Sequence, residues 1–224
     1  MKGSDVEYSN RMTPFRETLW DREADVVVLG YGGTGAVAAV TVKELGGEVI
    51  VLEKAQEPGG TTGVSTGAMR VPRDAGRAAK FIEAAGLGSV DEDTARSFAE
   101  TWMRMLPWLE EHGIQLAPPI DVPSPYQNLP GADAIDRLFF PSGTGGKKTG
   151  CGRDLFARLQ GLVEGRDIEV LLGSPGRRFL QNPENGEVQG VVVSESGRTI
   201  NLKAKKAVIM ACTGMPSGPT TPGT

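Results

Sequence analysis

Cysteine and histidine are scarce in this chain of 224 residues, which contains two cysteines and one histidine. Cys151 and Cys212 lie far apart and outside any CxxC spacing, so they provide neither a disulfide framework nor a thiolate metal site. We therefore expect no bound metal. Unpaired cysteines also favour a reducing compartment, and the cytoplasm is the predicted location.

An excess of positive charge and long apolar runs are missing as well. The net charge is −4 and the pI is about 5.2, so the chain has no basic field that would attract nucleic acid. Residues 1–23 mix both charge signs, so we expect no signal peptide there, and we expect no membrane-spanning helix because no apolar stretch is long enough. A small molecule is the predicted partner.

What the chain does contain is a strand–helix–strand pattern close to its start. ADVVVLG (24–30) is a continuous apolar run, typical of a strand covered on both faces. GTGAVAAVTVKELGG (33–47) has helical spacing, and EVIVLEK (48–54) is a second buried strand. The pattern predicts a βαβ unit with a parallel strand pair, the core of a Rossmann-like α/β fold.

The later elements alternate helices with a β-rich end. A helix is predicted over 91–113, divided at Pro107, with an inward stripe that includes Phe98, and another over 152–165. Short strands follow, among them TINLKA and AVIMAC as two separate strands, with a hairpin in which Asn185 and Gly186 adopt positive φ. These strands predict a small antiparallel β-meander beside the parallel sheet.

The turn between the first strand and helix has the sequence GYGGTG. Its GxGxxG spacing allows a tight turn at Gly30, close approach of a pyrophosphate at Gly32 and close helix–strand packing at Gly35, and Gly33 and Thr34 lie between them. Glu53, at the end of the second strand, is placed to accept hydrogen bonds from ribose hydroxyls and to repel a 2′-phosphate. These residues predict a site for FAD or NAD rather than NADP.

The segment EKAQEPGGTTGVSTGAMRVP (53–72) favours a flavin over a nicotinamide. A flavin continues past the pyrophosphate into a ribityl chain and a tricyclic ring, which need a long path lined by small and hydroxyl-bearing residues. Thr61, Thr62 and Ser65 supply hydroxyl groups. The candidate cofactor-binding residues of this segment are Glu53, Lys54, Gly60, Thr61, Thr62, Ser65, Thr66, Gly67 and Ala68.

Together these segments resemble the flavoprotein superfamily of fumarate reductases, succinate dehydrogenase flavoprotein subunits and ketosteroid dehydrogenases. The resemblance rests on GYGGTGAVAA, VLEKAQEPGGTTGVSTGAMRVP, GRDLFARLQ and AKKAVIMACTG, in the family's order from about Ala24 to Gly214. It implies bound FAD and an oxidoreductase that oxidises or reduces a C–C bond next to a carbonyl or carboxylate. A steroid-like ketone or a dicarboxylate is the implied substrate, and the electron partner stays open.

The resemblance also implies further site residues and domain limits. Thr213 and Gly214 would lie near the pyrophosphate, the strand with Val170 would pass the adenine, and Tyr126, ahead of Leu-Pro-Gly, would face the substrate. The family continues into a cap domain that this sequence lacks. We therefore expect an extension over 1–23, the N-terminal part of an FAD-binding domain over 24–214, and an irregular tail over 215–224.

Two other interpretations stay open at this point. The first is an NAD-binding dehydrogenase domain, and the missing cysteine pair argues against a disulfide reductase of that kind. The second is a truncated, non-catalytic remnant that binds FAD. SGTGGKKTG is not a phosphate-binding loop because Lys148 stands where Ser or Thr is required. His112 and Cys212 are predicted to be structural, Cys212 as a small buried residue on the last strand.

Overall fold

This computed structural model describes residues 18–143 and 151–212 of the chain. Strands and helices alternate at the start, and strands dominate the end. In chain order the elements are β1 (Arg22–Leu29), α1 (Gly33–Glu44), β2 (Val49–Leu52), α2 (Gly60–Val64), β3 (Met69–Arg70), α3 (Ala75–Ala85), α4 (Glu92–Met103), α5 (Met105–Glu111), β4 (Ile120–Asp121), a 3-10 turn (Ala132–Ile135), β5 (Arg137–Phe139), α6 (Cys151–Glu164), β6 (Glu169–Leu171), β7 (Gly176–Gln181), β8 (Val188–Glu195) and β9 (Arg198–Met210).

The central feature is a six-stranded sheet in the order β6-β2-β1-β9-β8-β7. β1 pairs in parallel with β2 and β9, and β2 pairs in parallel with β6. β8 and β7 extend the sheet with antiparallel pairing. The predicted α/β fold with a parallel sheet and an antiparallel meander is therefore confirmed, and the meander is joined to the parallel strands through β9.

Both faces of the parallel strands are covered, which explains their uninterrupted apolar sequences. Because side chains alternate along a strand, Val26 and Val28 of β1 face α1 and α6, whereas Val27 belongs to a second cluster on the other face. That second cluster contains Val191 and Val193 of β8. Two apolar cores thus clamp β1 and hold its carboxyl end in place.

The last strand differs from its prediction. TINLKA and the start of AVIMAC form one strand, β9, which pairs with β8 over residues 198–203 and with β1 over residues 202–210. Lys205 and Lys206, which lie between the two predicted strands, are exposed and form ion pairs with Glu23 and Asp25 of β1 at 2.9 and 3.6 Å. The register between β1 and β9 shifts at these two lysines, and β9 continues because it pairs with β1 on both sides of the shift.

In the hairpin between β7 and β8, the predicted positive φ is found at one of the two residues. Gly186 adopts positive φ (74°), but Asn185 does not. Its side-chain Oδ1 instead accepts a hydrogen bond from the Glu187 N–H at 2.9 Å. Local side-chain bonding, rather than a left-handed backbone, is the role of asparagine in this turn.

The helix predicted over 91–113 is divided, but at Arg104 and not at Pro107, since α4 ends at Met103 and α5 begins at Met105. Pro107 lies in the first turn of α5, where a backbone N–H has no partner within the helix. The inward position of Phe98 was wrong, because its side chain is 58% exposed. Ala95 and Ala99 of α4 are the residues that pack into the buried cluster with Phe81 of α3, whereas Phe98 lies outside this cluster and its ring contacts Trp102 edge-on. No helix in the described ranges has both the length and the apolarity needed to cross a bilayer.

The predicted domain boundary at Ala24 falls within β1, which begins at Arg22. Ahead of the strand, the Asp21 N–H donates to the Asn201 carbonyl at 2.9 Å, and Asp21 Oδ2 accepts from the Asn201 N–H at 2.7 Å. The limits 1–23, 24–214 and 215–224 stay predictions, since most of both ends lies outside the described residues.

A polar cluster connects the C-terminal ends of α1, α5 and α6. His112 follows α5, stacks on Trp108 with ring centroids 4.0 Å apart, and points Nε2 at both carboxylate oxygens of Glu44 at 3.0 and 3.1 Å. Arg166, beyond α6, donates to Glu44 Oε1 from its Nε at 3.1 Å. Burial opposes the charge of Glu44, but the bonds from Arg166 and His112 outweigh it and hold the pKa of this carboxyl below its usual 4.5.

We expect Glu44→Gln to lower the free energy of unfolding at neutral pH by less than about 1 kcal/mol, because the pair is partly exposed. A lowered pKa in the folded state stabilises the chain above the unfolded value of 4.5, and that stabilisation disappears as pH falls through the folded value. Urea unfolding at several pH values should therefore show the two curves converge below pH 4.5. Glu83→Gln, an exposed change on α3, is the control, and a Glu44→Gln difference that does not change with pH contradicts the prediction.

Candidate functional site

A cleft of about 630 Å³ opens where the carboxyl ends of β1, β2 and β9 meet the N-terminus of α1. In open parallel sheets this edge is the usual place for a ligand, because the loops diverge there and the helix N-terminus supplies free N–H donors. The lining residues are Leu29, Gly30, Tyr31, Gly32, Gly33, Thr34, Leu52, Glu53, Lys54, Ala55, Glu57, Gly60, Thr61, Thr62, Ser174, Pro175, Gly176, Met210, Ala211 and Cys212.

The tight turn into α1 depends on two glycines. Gly30 has φ of 105°, and a Cβ at this position would lie 2.9 Å from the Ala211 carbonyl oxygen of the strand end beside it. A Cβ at Gly35 would overlap with the carbonyl oxygen of Gly30. Any side chain at either position would therefore push α1 away from the sheet and turn its N-terminus out of the cleft.

The first turn of α1 fits a pyrophosphate. Gly32 is the N-cap and has no side chain to cap the helix, so the backbone at this end is open to a ligand. A Cβ at Gly32 would touch nothing closer than the Gly59 carbonyl oxygen at 3.5 Å, so the absence of a side chain leaves room in the cleft instead of relieving a clash. Gly33 differs, because a Cβ there would lie 2.7 Å from Thr62 Oγ1.

Glu53 stabilises the backbone on two sides of the cleft and is also a candidate ribose ligand. Its side chain is buried, with 9% exposure, and its two carboxylate oxygens accept the backbone N–H groups of Tyr31 at 2.9 Å and Ala55 at 2.8 Å. Each oxygen keeps a second lone pair for a hydroxyl. One carboxylate thus fixes the glycine turn and the loop after β2, and it can still bind a ribose.

Tyr31, the residue between Gly30 and Gly32, holds the glycine turn in place by packing. Its ring packs edge-on against Phe156 of α6 with centroids 5.3 Å apart. Burial, helped by the charge of Glu164, raises the pKa of its hydroxyl to about 12. This hydroxyl has no hydrogen-bond partner within residues 18–143 and 151–212, so Tyr31 contributes to the site through packing.

Nine of the seventeen predicted cofactor residues line this one cleft, although they come from three separate stretches of chain. Those brought together are Gly30, Gly32, Gly33, Thr34, Glu53, Lys54, Gly60, Thr61 and Thr62. Gly35 packs against the Gly30 carbonyl and is not among the lining residues. The residues Ser65, Thr66, Gly67 and Ala68 follow α2 and lie outside the cleft lining. Their contact with a cofactor stays a prediction.

Two further predicted residues, Val170 and Tyr126, lie outside the cleft lining. Val170 pairs with Val51 inside the sheet, and the segment after its strand, Ser174–Gly176, lines the cleft in its place. Tyr126 is 62% exposed and lines a separate groove. Thr213 and Gly214 are outside the described residues. Metal binding finds no support in the described parts of the chain, where no group of three His, Cys, Asp or Glu side chains could hold an ion.

Ser174 and its neighbours were missed by sequence reasoning. The Ser174 N–H donates to the Glu53 carbonyl at 2.8 Å, and the Gly173 N–H donates to the Ala55 carbonyl at 2.9 Å, so this turn closes one end of the cleft. A signal was present, because LGSPG follows a strand that runs parallel to β2. Parallel strands end at the same edge, and a Gly/Pro turn there meets the loop after β2.

Cys212 corrects another expectation. It was predicted to be buried, but it is exposed, lines the cleft, and its thiol donates to the Leu29 carbonyl oxygen at 3.4 Å. Strand β9 ends at Met210, so Cys212 has already left the sheet. Cys151, by contrast, is buried with 1% exposure.

The fold and cleft define an α/β dinucleotide-binding domain, and comparison with known proteins gives its family. The FAD binding domain family matches residues 25–222, so the chain belongs to it and its cofactor is FAD. It is 29% identical to urocanate reductase of Eggerthella lenta over 97% of this chain and 36% of that protein. It is also 35% identical to 3-oxo-5-alpha-steroid 4-dehydrogenase of Comamonas testosteroni, in an alignment that covers 45% of this chain and 21% of that protein.

A solved structure supports the same fold. The crystal structure of 3-ketosteroid delta1-dehydrogenase from Sterolibacterium denitrificans superimposes with a TM-score of 0.75 at 22% identity, covering 85% of this chain and 47% of that one. The chain thus spans about a third of the length of urocanate reductase and about half of the steroid enzyme. The predicted membership of the fumarate reductase and ketosteroid dehydrogenase superfamily and the predicted FAD cofactor are confirmed.

Because Cys212 lines the FAD cleft, bound cofactor should shield its thiol. At FAD tenfold above its dissociation constant, we expect alkylation of Cys212 by iodoacetamide to slow about tenfold. Mass spectrometry of the labelled peptide measures the rate. Buried Cys151 should stay unlabelled until the chain is denatured, which provides an internal control. Unchanged labelling of Cys212 in a sample that visibly binds FAD contradicts the placement of this residue.

Glu53→Gln should destabilise the chain even without cofactor. Gln offers one acceptor oxygen and turns an NH₂ group towards a backbone N–H, so one buried hydrogen bond is lost and two donors face each other. We expect the free energy of unfolding to fall by about 1–3 kcal/mol. Urea unfolding of the FAD-free chain measures this loss, with Glu83→Gln as the matched surface change. Wild-type stability combined with weaker FAD binding would assign Glu53 to the ribose alone.

Proposed function

We propose that this chain supplies the FAD-binding part of an oxidoreductase that oxidises or reduces a C–C bond next to a carbonyl or carboxylate. The observation that carries the proposal is the single cleft in which the glycine turn of α1 faces the hydroxyl-bearing segment Gly60–Thr62. A reductase of urocanate and a dehydrogenase of an oxo-steroid are among its relatives, which supports chemistry of this class.

The residues of the cleft divide into two groups in this proposal. Gly32 and Thr34 would hold the pyrophosphate with backbone N–H groups at the N-terminus of α1, next to Gly33, whose N–H donates to Thr62 Oγ1, and Glu53 would bind the ribose hydroxyls. Thr61 and Thr62 would hold the phosphate and ribityl oxygens. Lys54, beside Glu53, adds a positive charge near the phosphates. Bound flavin would supply the hydride chemistry at its N5.

The substrate class proposed is a steroid-like ketone or a dicarboxylate. A second groove, of about 750 Å³, is lined by Ala85, Leu87, Pro125, Tyr126, Gln127, Asn128 and Leu129. Leu87 is 90% exposed and Tyr126 is 62% exposed, so an apolar side chain and a phenol face the same space. The Tyr126 hydroxyl would donate a hydrogen bond to a substrate carbonyl.

FAD binding tests the proposal, and Gly32→Ala is the decisive variant. A methyl group at position 32 meets only ordinary contacts in the protein, and φ of −101° is open to alanine, so the chain should fold. The methyl group would occupy the space that a pyrophosphate needs. We therefore expect the wild-type chain to keep flavin absorbance after free FAD is removed, and Gly32→Ala to lose about tenfold or more in affinity.

Gly161→Ala is the matched control, because its added methyl group meets nothing within 4 Å and lies on α6. Its FAD affinity should equal that of the wild type. A wild-type chain that stays colourless with excess FAD overturns the proposal. Equal affinities of the wild type and Gly32→Ala place the pyrophosphate elsewhere.

A further inference from the structure

We propose that Arg70 is a positioning residue that holds the Tyr126 loop, residues 122–129, against β3 and thereby fixes where the Tyr126 phenol lies. The inference rests on the proposed function, in which Tyr126 donates a hydrogen bond to a substrate carbonyl. It adds a residue to which sequence reasoning gave no role, and it explains how an exposed side chain keeps a defined position.

The guanidinium group of Arg70 lies among backbone carbonyls. Its Nη1 donates to the Val122 carbonyl at 2.9 Å and to the Ile135 carbonyl at 2.7 Å. Its Nη2 donates to the Pro123 carbonyl at 3.2 Å. In the part of the chain that the structure describes, Arg70 forms no ion pair, whereas its neighbour Arg73 forms two. The charge of Arg70 therefore serves to hold together three carbonyl oxygens that would otherwise repel one another.

The backbone of Arg70 is itself fixed on two sides. The indole Nε1 of Trp102, on α4, donates to the Arg70 carbonyl at 2.6 Å. Arg70 also pairs with Leu138 of β5, and β5 pairs on its other side with β4, which ends at Asp121 just before the Tyr126 loop. The Arg70 side chain thus reaches the loop from a backbone that cannot move away with it.

The carbonyls bound by Arg70 are joined to Tyr126 by a stiff segment. Pro123 and Pro125 each restrict the backbone there. Ser124 is buried between them, with 2% exposure, and its Oγ accepts the Tyr126 N–H at 3.2 Å. The Tyr126 carbonyl in turn accepts the Leu129 N–H at 3.0 Å. Because the Tyr126 side chain is mostly exposed, its position is set by this backbone and, through it, by Arg70.

Arg70 also lies next to the segment that is predicted to contact the flavin. β3 follows residues 65–68 directly, and a Cβ at Gly67 would lie 2.5 Å from the carbonyl carbon of Cys151, so this segment packs tightly on the start of α6. One side chain therefore connects the predicted flavin segment to the loop that carries Tyr126. We infer that it sets the spacing between the flavin and a carbonyl bound by the phenol, on which hydride transfer depends.

Arg70→Lys tests this role because it keeps the charge and removes the geometry. A lysine has one compact ammonium group and cannot span carbonyls on two sides as a guanidinium does. Arg77→Lys is the matched control. Arg77 forms an exposed ion pair with Asp133 of the neighbouring 3-10 turn, and a lysine can make that contact as well.

The first measurement needs no ligand. The chain contains three tyrosines, so ¹⁹F NMR of the chain labelled with 3-fluorotyrosine gives few resonances, and Tyr126→Phe assigns one of them. We expect the Tyr126 resonance to be narrow in the wild type and broadened or split in Arg70→Lys. Ser124→Ala, which removes the next bond along the loop, should have the same effect.

The buried Tyr31 gives the reference resonance in the same spectra, and we expect it to be identical in all variants. A Tyr126 resonance that is unchanged in Arg70→Lys overturns the proposal. Equal changes at Tyr126 and Tyr31 also overturn it, because they report a general loosening of the fold.

The second measurement is a double-mutant cycle on the FAD-loaded chain, with progesterone as the ketone probe and equilibrium dialysis as the assay. We expect Arg70→Lys and Tyr126→Phe each to weaken binding about tenfold, and Arg70→Lys/Tyr126→Phe to bind no more weakly than Tyr126→Phe alone. Arg77→Lys should bind like the wild type, and FAD affinity should be equal in all variants.

The cycle separates a role that acts through the phenol from a general structural role. If the two losses multiply to about a hundredfold, Arg70 acts independently of the Tyr126 hydroxyl and the proposal is overturned. A wild-type chain that binds FAD but not progesterone contradicts the proposed ketone substrate instead, and the Tyr126 resonance then decides the role of Arg70.

Discussion

The close approach of α1 to the ends of β1 and β9 is the constraint on which the site depends. Gly30 lies against the Ala211 carbonyl and Gly35 lies against the Gly30 carbonyl, at distances that leave no room for a Cβ. This contact aims the N-terminus of α1 into the cleft, where its N–H groups and its dipole favour an anion. The two apolar cores on either side of β1 hold the strand still, so the turn is presented in one conformation.

The polar residues of the cleft stabilise the protein as well as facing a ligand. Glu53 accepts two backbone N–H groups, and Thr62 accepts one from α1. Because these bonds exist without a cofactor, the loops are already ordered when a dinucleotide arrives, and binding costs less conformational entropy. Because Glu53 and Thr62 make bonds within the protein and also face the ligand, a substitution at either one is expected to change both stability and affinity.

The segments that sequence reasoning placed correctly are those in which a local pattern carries its own physical cause. The apolar run of β1 and the GxGxxG turn each limit the backbone whatever surrounds them. The errors occur where a partner distant in sequence decides. TINLKA and AVIMAC were predicted as separate strands, yet β9 runs through Lys205 and Lys206 because it pairs with β1 on both sides of them. Phe98 matched an inward stripe, yet Ala95 and Ala99 make the contact with α3.

By itself, the sequence determined the α/β class, the dinucleotide turn and the flavin-type segment after β2, because glycine spacing and strand periodicity are local properties of the chain. Only the tertiary structure decided that Ser174 and Cys212 belong to the cleft, that Tyr126 and Val170 do not line it, and that Thr62 bonds to Gly33. Those relations join residues 29 to more than 100 positions apart, and they exist only once the strands have paired and their carboxyl ends share one edge.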